Sequence, residues 1–395
     1  MASFSNVGVN IIDVSMRRYP SCLRFLAIAL IWAAGGGLVQ AATVSVSGTN
    51  VLITLGNGEN ISDLNTSTAT AVITLNTVGS ANNTLVGTPT GVTVTNNTVV
   101  IDTAAFTTFE GVVIIGANGV HAVTIGAAGI DLTAGATANT NQTLSIDLKY
   151  SSAYAGTLNV NGPIKPKNSG LASLEAATLT IAAAGDITTT SGQVYLEADN
   201  LTSAGDLISS GGGDITVNAT GSAGSTAVLN GAITTTGSSA GSIIVGAESG
   251  TITLNGAITA GTGGTVFLST AQSTGTIVIK AAINAGADIR DTSSGRSLIS
   301  AGRIDLAANL TTTLGQINLA PVGGMVLSGP ASLKAGGITV GDITLGGSID
   351  GAQNLTLEAD DVINVASVGQ TTALGTITTT NSGGQFLTVI SLLQS

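Results

Sequence analysis

Gly250-Thr251-Ile252-Thr253-Leu254-Asn255-Gly256-Ala257-Ile258 is the stretch of sequence that decides the fold of this chain. Its first five residues alternate polar and aliphatic side chains, which in a strand places the aliphatic ones on one face. Asn255 and Gly256 form the favoured pair for a tight turn. The stretch therefore predicts a short strand, a turn and the start of a second strand.

Both halves of this stretch recur along the chain. The turn pattern also occurs at 161–164 and 230–233, so Asn230 and Asn255 hold equivalent positions in neighbouring copies. The strand pattern, Gly-x-Ile/Val-x-aliphatic, occurs at 192–196, 213–217, 250–254, 264–268, 275–279, 302–306, 315–319 and 341–345. Short strands that recur many times along a chain are typical of solenoid coils, which stack through parallel hydrogen bonds.

These repeats predict an all-β fold, a parallel β-helix. Helical solenoids are excluded because they need aliphatic residues at i, i+3, i+4 and i+7, a spacing that the Gly, Thr and Ser positions interrupt. A β-sandwich array and a β-propeller remain as alternatives. A narrow interior filled by stacked aliphatic residues agrees with an aromatic content of only 3%. Tyr195 and Phe267 fall at the outward phase of their strands.

The first 41 residues are predicted to be a signal peptide. Three arginines precede the apolar run Phe25–Trp32, and Val39 and Ala41 supply an apolar and a small residue at the positions that a signal peptidase reads. Translation starting at Met16 would give a leader of more usual length. A membrane anchor is the alternative, but Gly35–Gly37 interrupt an apolar segment already short for a span. We therefore predict an exported chain without a stable membrane span after cleavage.

The remaining chain is predicted to have two parts. Residues 42–145 have more β-branched strands and Asn-Thr turns, and are predicted to be an atypical N-terminal cap with the first coils. Residues 146–395 are predicted to be the repetitive β-helix. Residues 385–390 resemble one more strand, which suggests either that the sequence is a truncated piece or that a partner surface covers this end. Tyr150–Ser169 is predicted to be a loop or boundary. An uncovered coil end invites end-to-end or lateral self-association.

The charge balance excludes one large class of partner. The chain has 22 Asp and Glu against 11 Lys and Arg, and the leader removes Arg17, Arg18 and Arg24. Residues 42–148 contain no Lys or Arg. Binding of nucleic acid needs clustered cations, so no nucleic-acid partner is predicted. The one cysteine, Cys22, lies in the leader, so the exported chain cannot form an internal disulfide.

The sequence contains few residues that could form a catalytic or metal-binding site. His121 is the only histidine, which excludes a Ser-His-Asp triad or a two-histidine metal site, and its strand pattern predicts an outward, solvated side chain. Gly211–Asp214 is at best one distorted copy of the repeat that binds calcium in β-rolls. The sequence therefore predicts no metal site and no cofactor.

An alternative function is that of a carbohydrate-active enzyme, a polysaccharide lyase or hydrolase, which would need catalytic carboxylates. Glycoside hydrolysis needs two carboxyl groups about 5 to 9.5 Å apart. Glu358, Asp360 and Asp361 are the candidates, with no basic residue nearby in the sequence. A second charged group, predicted to form surface ion pairs, comprises Arg290, Arg296 and Arg303 with Asp288, Asp291 and Asp305. We predict no catalytic residue and no enzyme activity.

Threonine runs suggest another alternative, a solenoid that binds ice or another surface. Such a protein needs threonines in register along one face. The runs lie at 188–190, 234–236, 311–313 and 378–380, and their unequal spacing argues against a shared register. Threonine is also simply a good residue for an exposed strand position.

The Gly-x-Ile-x-Leu strands, the Asn-Gly-Ala-Ile turns and the predicted leader together resemble the passenger regions of bacterial filamentous-haemagglutinin-like exoproteins and autotransporter adhesins. The resemblance covers about residues 150 to 380. It implies a right-handed β-helix, secreted or displayed at the outer membrane, with a structural or adhesive role. The implied partner is a host or neighbouring-cell surface or an extracellular polysaccharide. The chain lacks the Asn-Pro-Asn-type secretion signature of two-partner exoproteins.

Overall fold

A computed structural model describes residues 41–67, 72–79, 82–116, 119–133, 141–149, 156–220, 224–237, 239–247, 250–270, 275–291, 302–337, 340–381 and 387–389. Within these residues the fold is all-β, with a single 3-10 turn at Thr103–Ala105. Strands that follow the N-terminal region stack in parallel, coil upon coil, in two sheets. The predicted parallel β-helix is confirmed. The predicted signal peptide lies outside the described residues, except for Ala41.

The strands are named in chain order. Those of the N-terminal region are β1 (Thr43–Ser47), β2 (Asn50–Leu55), β3 (Asn60–Thr66), β4 (Val72–Val78), β5 (Thr84–Leu85), β6 (Val92–Thr95) and β7 (Thr98–Asp102). Those of the coils are β8 (Gly111–Gly116), β9 (Ala122–Ile125), β10 (Ile130–Asp131), β11 (Thr143–Asp147), β12 (Thr157–Val160), β13 (Ile164–Lys165), β14 (Ala172–Ile181), β15 (Ile187–Thr189), β16 (Val194–Ser203), β17 (Leu207–Ser209), β18 (Ile215–Ala219), β19 (Thr226–Leu229), β20 (Ile233–Thr235), β21 (Ile243–Ala247), β22 (Thr251–Leu254), β23 (Ile258–Ala260), β24 (Val266–Thr270), β25 (Thr276–Ile279), β26 (Ile283–Ala285), β27 (Ile289–Arg290), β28 (Arg303–Leu306), β29 (Leu310–Thr312), β30 (Ile317–Leu319), β31 (Met325–Leu327), β32 (Ala331–Ala335), β33 (Ile343–Asp350), β34 (Leu355–Ala359), β35 (Ile363–Val368), β36 (Ile377–Asn381) and β37 (Leu387–Val389).

Each coil contains three strand segments, which we call the first, second and third arms. In one coil these are β18, β19 and β20, and in the next they are β21, β22 and β23. The first and second arms belong to one sheet, and β14 and β16 run through both without a break. The third arms form a separate 11-stranded sheet. The outward sides of the arms are called the first, second and third faces.

The interior is a set of aliphatic ladders. Ile233 pairs with Ile258 and Ile258 with Ile283, so the repeat predicted from Asn230 and Asn255 is confirmed in this part of the rod. All three isoleucines are almost completely buried, at 1% exposure or less. Burying such a side chain stabilises the fold by about 1.5–3 kcal/mol. The alternation of aliphatic and polar residues thus creates one continuous core along the rod.

Hydroxyl groups close the corner that follows the third arm. Thr189, Thr235 and Thr312 are buried at the inward position that ends β15, β20 and β29. The Thr235 hydroxyl donates to the carbonyl of Gly241 at 2.8 Å, and the Thr189 hydroxyl donates to that of Gly192 at 2.7 Å. A buried carbonyl left without a donor would be costly, so these threonines satisfy the corner backbone.

The N-terminal region differs from the coils in its strand pairing. Its strands pair in antiparallel fashion, β1 with β2, β3 with β4, and β7 with both β4 and β6. β2 and β3 also pair in parallel with β8 and β9 of the first coil. The antiparallel strands therefore cover the edges that the first coil would otherwise expose.

The predicted loop at Tyr150–Ser169 is only partly correct. Its described portion contains the regular strands β12 and β13, which pair in parallel with strands on both sides. Pro163 lies between these strands, where no ladder N–H is needed, and its carbonyl accepts from the Ile130 N–H at 2.7 Å. A proline at this coil corner therefore does not interrupt the repeat.

At the other end, β37 pairs in parallel with β35, so the described part of the predicted strand at 385–390 is confirmed. Gln385, Phe386 and Ile390 lie outside the described residues. Among the described helices, none has the length and apolar character that crossing a membrane requires.

Candidate functional site

The second face carries a two-column array of threonines, which we call the threonine face. One column is formed by the first outward residue of successive second arms and the other by the residue two positions later. The rows are Thr157/Asn159, Thr178/Thr180, Asn200/Thr202, Thr226/Val228, Thr251/Thr253 and Thr276/Val278. Strand pairing holds all of these rows in register, and every one of these side chains is exposed or half-exposed.

The threonine face is neutral along its length. Its rows contain only Thr, Asn and Val, and no residue in them is charged or aromatic. The Thr226 hydroxyl donates to the Asn200 amide oxygen at 3.3 Å, which ties one row to the next. The array ends at the following coil, where Thr276 pairs with Arg303 and Val278 with Asp305.

The third face holds the four threonine runs identified in the sequence. Thr188, Thr234, Thr311 and Thr380 occupy one column, each paired through its neighbours in unbroken register. The inference from unequal spacing was therefore wrong, because corners of different length absorb the differences. Intervening members of the column are Ile208, Thr259, Asn284, Lys334 and Glu358, so this face is neither neutral nor uniform.

The first face has aromatic and acidic side chains. Tyr195 and Phe267 are half-exposed between fully buried neighbours, so their predicted outward direction is confirmed. Asp147, Glu175 and Glu197 form a column on consecutive coils, which we call the acidic column. In-register neighbours of this kind lie only about 4.8 Å apart, so like charges repel strongly.

Glu175, in the middle of the acidic column, is the carboxylate most affected. Burial raises the pKa of Glu175 to about 7, and the charges of Asp147 and Glu197 act in the same direction. Burial likewise raises the pKa of Asp147. The Lys149 ammonium offsets part of the repulsion, with its Nζ 2.7 Å from Asp199 Oδ1 and 3.7 Å from Glu197 Oε1.

Of the proposed carbohydrate-active residues, the structure brings Glu358 and Asp360 near one partner that sequence reasoning missed. Lys334 pairs in register with Glu358, and their charged atoms are 2.6 Å apart. The expectation that no basic residue lies near these carboxylates was therefore wrong; the register across one coil supplies it. The pair is well exposed on the third face, and Asp360 Oδ2 accepts the Gly337 N–H at 2.8 Å.

The second charged group forms ion pairs in part. Arg290 pairs with Asp288 at 2.5 Å and Arg303 with Asp305 at 2.6 Å, which confirms the prediction for these four residues. Arg296 lies outside the described residues. Asp291 departs from the prediction, because it is completely buried, accepts the Ala320 N–H at 2.7 Å, and has a pKa that burial raises to about 6.

Many aspartates have a structural task that the sequence did not reveal. Each lies at a corner and accepts the backbone N–H of the matching position in the next coil. The pairs are Asp186 with Asp206, Asp206 with Ala232, Asp214 with Ser242, Asp288 with Gln316, and Asp342 with Val362, at 2.7–3.1 Å. Asp214, considered above for calcium, is one of them. Corner backbone groups lack ladder partners, so these carboxylates complete the hydrogen bonding.

The predicted outward direction of His121 was wrong. Its side chain is 1% exposed and its Nδ1 is 2.7 Å from the Glu59 carbonyl oxygen. His121 shares the inward phase of Val123 and Ile125, whereas Val120 is the exposed neighbour. Glu59 is also buried in the N-terminal region, with no hydrogen-bond partner for its carboxylate oxygens in the described part of the chain.

Concave sites are poorly developed in the part of the chain that the structure describes. A shallow concavity of about 390 Å³ in the N-terminal region is lined by Val46, Pro89, Thr90, Ala105, Phe106 and Thr107. None of the charged groups above lies in it. Among the described residues, no set of three or more His, Cys, Asp or Glu is placed to hold a metal ion.

Comparison with known proteins gives no family assignment: no family model, no curated protein and no solved structure matches the chain.

Proposed function

We propose that this protein is an exported structural or adhesive β-helix that attaches to surfaces through the threonine face. The in-register array from Thr157 to Val278 is the observation that supports the proposal. Repeated rows of neutral side chains, most of them threonine, make many modest contacts at once, which suits attachment to an extended partner. The resemblance to adhesin passenger regions and the predicted signal peptide support export and display.

The carboxylates favour this proposal over a carbohydrate-active enzyme. Glu358, Asp360 and Lys334 lie on an open face, whereas a lyase or hydrolase encloses the scissile bond between its acid and base. Asp360 also accepts a backbone hydrogen bond from Gly337, which is a structural role.

Export is tested with cells that make the full chain and cells that make the Leu26→Arg, Leu30→Arg variant, in which the apolar run of the predicted leader gains two positive charges. We expect the unaltered chain in the medium or accessible to added protease, and the variant retained inside. Retention of both chains would contradict export.

Attachment is tested with beads coated with the full chain on cells, polysaccharide gels and inert solids. Thr253→Lys places a charge in the threonine face, and Thr216→Lys is its matched control, because both threonines follow a buried isoleucine. We expect attachment to fall for Thr253→Lys and to persist for Thr216→Lys. Equal attachment by coated and bare beads would refute the adhesive role.

A further inference from the structure

We propose that the threonine face binds the ordered surface of ice. The inference rests on the proposed function, because it names the kind of surface to which that face attaches. It depends on three features of the face: its repeat distances, its lack of charge and aromatic rings, and the chemistry of threonine.

The two repeat distances of the face come from the β-helix itself. Neighbouring strands are about 4.8 Å apart, and residues two positions apart on a parallel strand are separated by about 6.6 Å. Water molecules joined tetrahedrally by hydrogen bonds of about 2.8 Å repeat every 4.5 Å or so across ice and about every 7.4 Å along its hexagonal axis. The two grids agree to about a tenth in each direction. The face has only two columns, so the difference between about 6.6 Å and about 7.4 Å occurs once and does not accumulate.

Neutrality of the face distinguishes ice from other surfaces. A cell surface or an acidic polysaccharide would favour charged contacts, and the rows from Thr157 to Val278 contain none. A crystalline neutral polysaccharide would favour aromatic side chains that stack on sugar rings, and these rows contain none either. Within the coils that carry these rows, acidic and aromatic side chains of the same sheet are found on the first face, at Glu175, Glu197, Tyr195 and Phe267.

Threonine supplies both contacts that an ordered water layer needs. Its hydroxyl donates to and accepts from water, while its methyl group leaves neighbouring water to bond with itself. Its branched side chain has few rotamers on a strand, so the array is held in place before binding and little side-chain entropy is lost. Val228 and Val278 preserve the methyl positions within the array.

The experiment grows ice slowly from a solution of the full chain and measures the fraction of protein that enters the ice. A charged protein that does not bind ice sets the background. We expect the unaltered chain and Thr216→Lys to enter the ice well above background, and Thr253→Lys to bind at least about tenfold more weakly. Circular dichroism and thermal melting check that both variants are folded. Exclusion of the unaltered chain from ice, or equal uptake by the two variants, would overturn the proposal.

The same chains are applied to powdered crystalline chitin and cellulose and to the surfaces of the attachment test. Binding to a crystalline polysaccharide, lost in Thr253→Lys and without uptake into ice, would replace ice by a sugar lattice and leave the adhesive role intact. Uptake into ice without attachment to the other surfaces would support the ice proposal. Failure of both assays would remove the ice proposal together with the adhesive one.

Discussion

The first and second faces of the rod are built on the same sheet, yet they display different chemistry. Their inward sides are alike, with Ile215, Ile243 and Val266 stacked under the first face and Ala227, Ile252 and Ile277 under the second. Their outward sides range from the acidic column to the neutral threonine face. Strand register and core packing constrain only the inward half of each strand. The outward half is free to be selected for function, and a uniform outward face therefore points to a function.

The largest expected effect compares an inward and an outward residue of the same strand. Ile252→Ala removes a fully buried side chain, and we expect it to lower the free energy of unfolding by about 2–5 kcal/mol. Thr253→Ala, its outward neighbour, should change it by less than about 0.5 kcal/mol. Because coils can unfold in parts, hydrogen exchange of the coil amides should accompany urea unfolding. Similar losses for both variants would mean that the outward side is structural too.

A second prediction concerns the glycines before the strands. A Cβ on Gly213 would lie 1.9 Å from the Gly192 carbonyl oxygen, and one on Gly250 would lie 1.9 Å from that of Ser225. Gly213 precedes a strand of the first face, and Gly250 precedes a strand of the second. We expect Gly213→Ala and Gly250→Ala to lower the free energy of unfolding equally, by about 1–3 kcal/mol, in thermal or urea unfolding.

Gly263→Asn is the control for the glycine substitutions. Gly263 has a φ of +78° with nothing within 4 Å of its Cβ position, and asparagine tolerates that conformation. We expect it to be close to neutral. A large loss of stability in Gly263→Asn, or a small loss in Gly213→Ala, would show that close contact between coils is not the reason for glycine at these positions.

A pH titration should separate the two faces. The pKa of Glu175 is raised to about 7 in the folded chain against 4.5 for the free group, so the folded state binds the extra proton. Stability should therefore fall as pH rises from about 4.5 to about 7, by on the order of 1–2 kcal/mol after allowance for screening of a partly exposed group. Larger protection factors of β14 amides at pH 5 than at pH 8, after correction for the base-catalysed intrinsic exchange rate, would be the signature.

Glu175→Gln should remove the part of that pH dependence that Glu175 causes, because the amide does not titrate, and leave only the contribution of Asp147, whose pKa burial also raises. Amides beneath the threonine face at β22 should not show it in either chain, since no titratable residue lies in those rows. Equal pH dependence of β14 in the unaltered chain and the variant would assign the effect to another group.

The smallest expected effect extends the threonine face by one coil. Arg303 and Asp305 form an exposed ion pair, and such pairs contribute less than about 1 kcal/mol. The Arg303→Thr, Asp305→Val variant should therefore keep its thermal stability and take up slightly more ice than the unaltered chain. A marked loss of stability would show that the ion pair holds the coil in place.

Much of the fold was predictable from local patterns. The alternation in Gly250–Ile258 and its recurrence identified the strands, the turns and the length of the repeat, because period-two burial is a local property of strands. His121 was placed on the wrong face because apolar residues lie on both sides of its strand, Val120 and Ala122 on one side and Val123 on the other. Alternation alone therefore does not show which side is buried. Lys334 was missed as the partner of Glu358, because 24 residues separate them in the sequence.

The sequence by itself determined that the chain forms stacked parallel strands with an aliphatic interior, since each strand and turn is encoded within a few residues. Only the tertiary structure decided which outward residues become neighbours. Corners of variable length shift the spacing between strands without disturbing their register, so a column of side chains has no fixed period in the sequence. The threonine face, with rows such as Thr251/Thr253, exists only when backbone hydrogen bonds between coils align residues that the chain keeps far apart.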